Sequence, residues 1–271
     1  MSDRYYVIGN PVAHSKSPAI HAAFALQTGQ ALQYDTCLAP LDGFAATVAS
    51  LVTAGCQGAN VTVPFKLEAA SLATVLSPRA AAAGAVNTLS FHGGQIHGDN
   101  TDGAGLVNDI VRNAGVAIAG KRVLLLGAGG AARGAMLPLL EQGPAELVIA
   151  NRSRAGADAL VARFASPDRK LSACEFANLD GTFDLIINAT SASLAGELPP
   201  LPPAIFTQST LALDMMYGNK PTLFMDFAAR HGARTRDGLG MLVEQAAEAF
   251  ALWRGVRPET ATLLDRMRPS S

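Results

Sequence analysis

Apolar residues fall along this chain in short runs, separated by longer alanine-rich stretches where they recur every three or four positions. The runs predict strands and the stretches predict helices, and their alternation predicts an α/β fold. In the first hundred residues strands are expected near 5–8, 32–37, 58–63, 88–91 and 95–97, with helices near 17–28, 43–54 and 66–72. His92-Gly93-Gly94 is a hairpin signal, so the last two strands should pair antiparallel and make this sheet a mixed one. Val61, Val63 and Phe65 alternate as the buried face of a strand. Pro64 cannot donate to a ladder, so the strand should stop near it. Lys66 is then left at a strand terminus, where side chains often look into a cleft, or where a lysine simply sits in solvent.

A helix is expected at 103–114, and then the pattern resets. Residues 123–126, 146–150, 184–188 and 211–214 are nearly all apolar, as in a parallel sheet covered on both faces. Residues 240–254 form an amphipathic helix on which Leu242, Gln245, Ala249 and Leu252 share a stripe. An amide thus interrupts an apolar face, and a buried amide needs partners: backbone, water or a ligand hydroxyl. The proline-rich stretch from Pro199 to Pro203 reads as a rigid loop, and no internal repeat is present.

The 271 residues are 49% hydrophobic and 16% charged, enough for two cored domains and too apolar for wholesale disorder. A net charge of −1 without a basic run argues against nucleic acid or an anionic membrane as main partner. No stretch is long and apolar enough to span a bilayer, and the N-terminus lacks the apolar run of a signal peptide. Cys37, Cys56 and Cys174 are widely spaced without a CxxC, and the histidines have no metal-ligand spacing, so no metal is expected. The expectation is a cytoplasmic protein.

The stretch VLLLGAGGAARGAM carries chemistry of its own. A strand at 123–126 leads into Gly127, Gly129 and Ala132 in G-x-G-x-x-A spacing, with Ala128, Gly130 and Ala131 completing the turn into a helix over 130–142. The first glycine permits the tight turn, the second lets a pyrophosphate approach the backbone, and the helix N-terminus faces the anion. After the next strand, an NAD-preferring site would carry an acidic residue for the ribose hydroxyls. Here Asn151, Arg152, Ser153 and Arg154 follow instead, and guanidiniums with a hydroxyl can hold a 2′-phosphate. This predicts NADP; the competing view is of ordinary solvated turn residues.

Eight stretches together resemble shikimate dehydrogenases: GNPVAHSKSPAIH, NVTVPFK, AGAVNTL, GDNTDG, GAGGAARG, NRSR, INATS and GMLVEQAAEAF. They run in that family's order from Gly9 to Phe250. The resemblance implies an N-terminal α/β substrate-binding catalytic domain with a mixed sheet (1–102) and a Rossmann-type, doubly wound parallel-sheet NADP domain (103–237). C-terminal helices (238–271) would pack back on the substrate domain. It implies reversible NADPH-dependent reduction of 3-dehydroshikimate to shikimate in aromatic amino acid biosynthesis, by a monomer or homodimer with a small-molecule substrate. One departure stands out: similar proteins commonly place two or more residues between the Asn-Arg-Thr group and the next basic residue, whereas here only Ser153 intervenes. Arg152 is therefore the safer phosphate ligand.

Hydride delivery to a ketone builds negative charge on its oxygen, which calls for a proton donor there. By resemblance that role falls on Lys66 of VPFK together with Asp102, the final aspartate of DNTDG. Taken alone, Asp102 reads as a turn aspartate. The substrate the resemblance implies is a small carboxylated polyol. Ser15 and Ser17 suit its carboxylate, since Pro18 pushes Ser17 toward extended geometry, where positions i and i+2 share a face. Ser17 before Pro18 also reads as a helix N-cap. Thr62, Asn87 and Tyr217 match the family's substrate contacts, and Gln245 would bind a substrate hydroxyl. On the cofactor side the family match adds Thr190, after a strand ending at Asn188, with Met215, Gly238 and Met241 near the nicotinamide; plain packing competes for the methionines. Alternatives are a quinate/shikimate dehydrogenase with relaxed cofactor use and a catalytically silent dinucleotide-binding relative. Retention of both Lys66 and Asp102 argues against the latter.

Overall fold

The structure, a computed structural model, describes residues 2–268, with only the backbone of Leu194. The chain divides into two compact units, one of residues 1–105 with 243–271 and one of residues 106–242.

The first unit begins with β1 (Asp3–Gly9), α1 (Ser17–Thr28), β2 (Leu32–Leu38), α2 (Phe44–Thr53), β3 (Gly58–Val61) and α3 (Lys66–Leu72). β4 (Val75–Leu76), α4 (Pro78–Ala83), β5 (Thr88–His92), β6 (Gln95–Asp99) and the start of α5 (Asp102–Asn108) follow. Its sheet has the order β2-β1-β3-β5-β6-β4. β1, β2 and β3 are parallel, and the β5–β6 hairpin runs antiparallel at β5, which makes the sheet mixed. One face packs Phe44, Val48, Phe65 and Ala69 on Ile8, Ala59, Val61 and Leu89.

The second unit contains β7 (Arg122–Leu126), α6 (Gly130–Glu141), β8 (Glu146–Asn151), α7 (Arg154–Phe164), β9 (Leu171–Glu175) and β10 (Leu185–Asn188). α8 (Ala192–Ala195), β11 (Leu211–Asp214), α9 (Leu223–Arg230), β12 (Arg234–Arg236) and the first turn of α10 (Leu239–Arg254) complete it. α10 then continues into the first unit, which α11 (Ala261–Met267) ends. The second sheet is wholly parallel, in the order β12-β11-β10-β7-β8-β9 that places a crevice beside the first strand of a doubly wound fold. Every residue of β10 and β11 is buried, as expected of strands covered on both faces.

Several expectations need correction. β3 stops at Val61, and Val63 is 67% exposed, so the alternation through Val63 and Phe65 belongs to a turn: the Phe65 N–H returns to the Thr62 carbonyl. The helix expected at 103–114 is α5 followed by a π-helical turn, Asp109–Asn113. Ser17 is the first residue of α1 and Lys16 is the cap, so Ser17 is neither extended nor an N-cap. On α10 Leu252 is 46% exposed, and the buried face runs through Val243, Ala246, Ala247, Ala249 and Phe250.

Around α10 the first unit builds an aromatic cluster. His21 stacks on Tyr34 with ring centroids 4.1 Å apart, and Trp253 stacks on Tyr5 at 4.6 Å while its indole N–H donates to the Leu89 carbonyl at 3.1 Å. His21 is fully buried, and burial lowers its pKa to about 3 from an ordinary 6.5, opposed by the neighbouring Asn60 side chain. The folded protein therefore keeps this imidazole neutral where the unfolded chain binds a proton, so the stability it leaves intact above pH 6.5 is lost progressively as pH falls toward 3. At pH 5, about 1.5 units below that unfolded value, the penalty is about 2 kcal/mol. His21→Leu is expected to flatten acid destabilisation between pH 6.5 and about 4. Melting temperatures of wild type and variant that stay parallel across that range would contradict it.

Candidate active site

In the first unit, one end of the sheet collects the polar residues. β1, β3 and β6 end there at Gly9, Val61 and Asp99, and antiparallel β5 begins there at Thr88. The loops at this end carry Thr62, Asn87 and Asn100–Asp102. Lys66 starts α3 and Asp102 starts α5, and Lys66 Nζ donates to Asp102 Oδ2 at 2.5 Å. Their side chains are 31% and 14% exposed, a partly buried pair that still reaches solvent. The other carboxylate oxygen, Oδ1, accepts from Asn87 Nδ2 at 2.8 Å. The same amide nitrogen lies 2.9 Å from Thr101 Oγ1 and 3.3 Å from Gln245 Oε1. Lys66, Asp102, Asn87 and Gln245 thus form one connected group.

A buried layer fixes this group from behind. Tyr34 Oη donates to Asn60 Oδ1 at 2.7 Å, and Asn60 Nδ2 donates to the Asn87 carbonyl and to Thr88 Oγ1. The Thr101 N–H donates to Asn87 Oδ1 at 2.8 Å, leaving the Asn87 amide one orientation. Asn60, Thr88 and Thr101 were not singled out from sequence; for Asn60 and Thr88 the signal is polarity at strand positions that periodicity assigns to the interior, whereas Thr101 sits in the turn between β6 and α5. The Ser17 N–H donates to Ser15 Oγ at 3.2 Å, so these two residues are adjacent by a helix-entry turn rather than by a shared strand face.

In the second unit the glycine turn opens a pocket of about 420 Å³. Gly127, Ala128, Gly129, Gly130, Asn151, Arg152 and Thr190 line it; Ala131 sits one residue further into α6. Gly127 has φ +101°, and a Cβ there would press on the Ala189 carbonyl at 3.2 Å. Gly129 and Gly130 face open space, so a phosphate can come directly against the backbone at the start of a twelve-residue helix. These residues fit a dinucleotide. Ser153 caps α7 by position, and Arg154 turns along that helix to Asp158 at 3.3 Å, leaving Arg152 as the guanidinium lining the pocket.

The opposite wall is held by a buried aspartate that sequence reading passed over. Asp214 Oδ2 accepts from Ser193 Oγ at 2.6 Å, Thr222 Oγ1 at 2.6 Å and Asn188 Nδ2 at 3.2 Å. Asn188 Oδ1 in turn accepts from the Thr190 hydroxyl at 2.7 Å. Pro199 and Pro200, expected only as a stiff connector, also line the pocket. Met215 and Gly238 are in direct backbone contact, since a Cβ on Gly238 would lie 2.0 Å from the Met215 carbonyl oxygen, and Met241 follows in the first turn of α10. Tyr217 belongs to this second unit and is partly buried, which raises its phenol pKa. Among the described residues no cluster of three potential metal ligands occurs, and no helix is long and apolar enough to cross a membrane.

Comparison with known proteins bears on both units. The profile of the shikimate dehydrogenase substrate binding domain matches residues 7–89. That of the shikimate / quinate 5-dehydrogenase family matches residues 109–228, and that of the shikimate 5′-dehydrogenase C-terminal domain matches residues 238–268. A shikimate dehydrogenase (NADP(+)) of Herminiimonas arsenicoxydans is 65% identical over 268 residues, covering 99% of this chain and 98% of the relative. The crystal structure of an Ael1 enzyme from Pseudomonas putida superposes with a TM-score of 0.95 at 48% identity, covering 99% of each chain. Shikimate 5-dehydrogenase from Thermus thermophilus, solved in complex with NADP(H) and shikimate, gives a TM-score of 0.86 at 32% identity over 97% of each chain. With matches of this extent in sequence and in fold, the chain belongs to the shikimate dehydrogenase family.

Proposed function

We propose that this protein catalyses the reversible NADP-dependent interconversion of shikimate and 3-dehydroshikimate, in the first unit through Lys66 and Asp102. The observation that carries the reading is the Lys66–Asp102 pair at 2.5 Å, with Asn87 on the second carboxylate oxygen. In oxidation the substrate hydroxyl loses its proton to this pair as the hydride leaves carbon. In reduction Lys66 returns a proton to the developing alkoxide. When bound, NADPH would supply the hydride for reduction and NADP+ would accept it in oxidation.

Asp102, Asn87, Gln245 and Thr62 bind the substrate hydroxyls, Ser15 and Ser17 its carboxylate, and Tyr217 completes the substrate set. Gly127, Ala128, Gly129, Gly130 and Ala131 hold the pyrophosphate. Asn151, Arg152, Ser153 and Arg154 serve the 2′-phosphate, with Arg152 foremost. Thr190, Met215, Gly238 and Met241 flank the nicotinamide.

The test mixes protein with shikimate or quinate, and with NADP or NAD, and follows nicotinamide absorbance. Shikimate with NADP should be much the fastest pair. Equal rates with quinate would replace this reading by a broader quinate/shikimate activity, and a flat trace in all four mixtures would remove the enzymatic assignment. A charge-assisted contact to phosphate is worth about 1.5–3 kcal/mol, so Arg152→Ala should raise KM for NADP roughly 10- to 100-fold and leave NAD use nearly unchanged. Arg154→Ala should do less, because Arg154 is engaged along its own helix. An Arg152 variant with unaltered KM for NADP would refute the phosphate role.

A further inference from the structure

Arg79, in α4, is none of the residues assigned to substrate above, yet its guanidinium joins the two segments that carry them. Nε and Nη2 donate to Asp99 Oδ1 and Oδ2 at 2.7 and 2.8 Å, and Nη1 donates to Glu248 Oε1 at 2.9 Å. Asp99 ends β6 three residues before Asp102, and Glu248 follows Gln245 by three residues on α10. Asn87 Nδ2 contacts Asp102 Oδ1 at 2.8 Å and Gln245 Oε1 at 3.3 Å. The result is a closed ring, in which Arg79 ties the strand end to the helix on one side and Asn87 spans Asp102 and Gln245 on the other.

Each arm of the ring is itself anchored. Asp99 Oδ1 also accepts from Ser77 Oγ at 2.5 Å and from the Asn100 N–H at 2.6 Å, and Asn100 Oδ1 accepts from the Asp102 N–H at 3.2 Å. Arg257 donates to Glu248 at 2.5 Å and to buried Glu244 at 2.9 Å, so the carboxylates on both sides of Gln245 are held. Gly105 of α5 lies so close to α10 that a Cβ would stand 2.6 Å from the Gln245 backbone nitrogen. Burial pushes the Asp99 carboxyl up, but Arg79 and Ser77 outweigh it and hold its pKa below the ordinary carboxylate value.

We propose that Arg79 is a positioning residue that sets the spacing between Asp102 and Gln245, and through it the fit of shikimate, by clamping the end of β6 to α10. The inference rests on the reaction proposed above. Without the guanidinium, Asp99 keeps Ser77 and Glu248 keeps Arg257, but no cation bridges the two carboxylates that face one another across a partly buried gap. Loss of that bridge and the remaining repulsion move α10 away from the strand end and draw Gln245 Oε1 off Asn87. A lysine would meet one carboxylate as a point charge, whereas the planar fork meets both.

Arg79→Met is expected to lower kcat/KM for shikimate at least about tenfold, the cost of a small misplacement of binding groups, while KM for NADP stays within about twofold. Adding Glu248→Gln to Arg79→Met removes one of the facing charges and should recover at least about threefold of the loss, a coupling between neighbours that independent sites do not show. Arg254→Met serves as the control: Arg254 holds the end of the same helix through Asp3 and Gln30, remote from the ring, and should lower the melting temperature while sparing kcat/KM. An Arg79→Met enzyme that melts earlier but keeps its shikimate kinetics overturns the clamp, as does failure of the double variant to recover any activity. Should Arg79→Met fail to fold, Glu248→Gln alone decides: a loss of about threefold or more in kcat/KM for shikimate supports the clamp, and an unchanged value overturns it. If the wild-type enzyme does not oxidise shikimate with NADP, it is the reaction assignment that fails.

Discussion

Replacing Lys66 by alanine will lower kcat for shikimate oxidation by at least about a hundredfold while moving KM for shikimate less than about threefold, because a proton-transfer group acts in the transition state rather than in ground-state binding. The structure favours a clean experiment. Lys66 is the first residue of α3, where alanine is a good helix former. Its carbonyl accepts from the Val86 N–H at 2.9 Å, a backbone contact the substitution leaves in place. Asp102 loses one partner but keeps Asn87, so the carboxylate stays where it is. A variant whose KM rises while kcat holds would make Lys66 a binding residue only.

Arg236→Leu will be the most destabilising single change among the ion pairs described. Arg236 donates from Nε and Nη2 to the two oxygens of Asp109 at 2.6 and 2.5 Å, and Asp109 has no exposed surface. Removing the cation leaves a buried carboxylate that still accepts from Asn113 Nδ2 at 3.0 Å but has lost both guanidinium bonds. Such an uncompensated charge costs about 3–5 kcal/mol, which in a protein of this size lowers the melting temperature by roughly 10 °C. Adding Asp109→Asn removes the stranded charge and should return part of that loss. Equal melting temperatures for wild type and Arg236→Leu would contradict the argument.

The sequence announced elements best where burial is two-sided or the chemistry is local. β7, β10 and β11 are runs of apolar residues covered on both faces, and they stand where periodicity puts them. The glycine turn and the arginine that lines its pocket occupy short stretches, so a motif sufficed. β4, β9 and β12 escaped because they are short edge strands: β4 is two exposed residues, Val75–Leu76, β9 has no buried residue to mark a face, and β12 is only Arg-Thr-Arg. α4 was legible and was passed over: Ser77 caps it, accepting from the Ala80 N–H at 3.2 Å, Pro78 opens it, and left-handed Gly84 closes it. In the substrate half, the strand pattern pointed to Lys66, but the roles of Lys66 and Asp102 were assigned only through resemblance. The hydrogen bonds that join them to Asn87 and Gln245 connect residues up to 158 positions apart, and no local pattern encodes a contact of that range. Val63 shows the opposite failure: its place in an alternating pattern was read as burial, but the backbone had already turned.

Because the first unit draws Gln245, Glu248, Trp253 and Arg254 from the end of the chain, it has a biosynthetic consequence. The first 105 residues leave the ribosome without the helix that fills their aromatic cluster or the acceptor that faces Asn87, while the middle unit is contiguous and emerges whole. The nascent protein must therefore complete its second unit before its first. Residues 1–105 thus wait for their last partner, the 243–271 segment, until the whole intervening unit has been made.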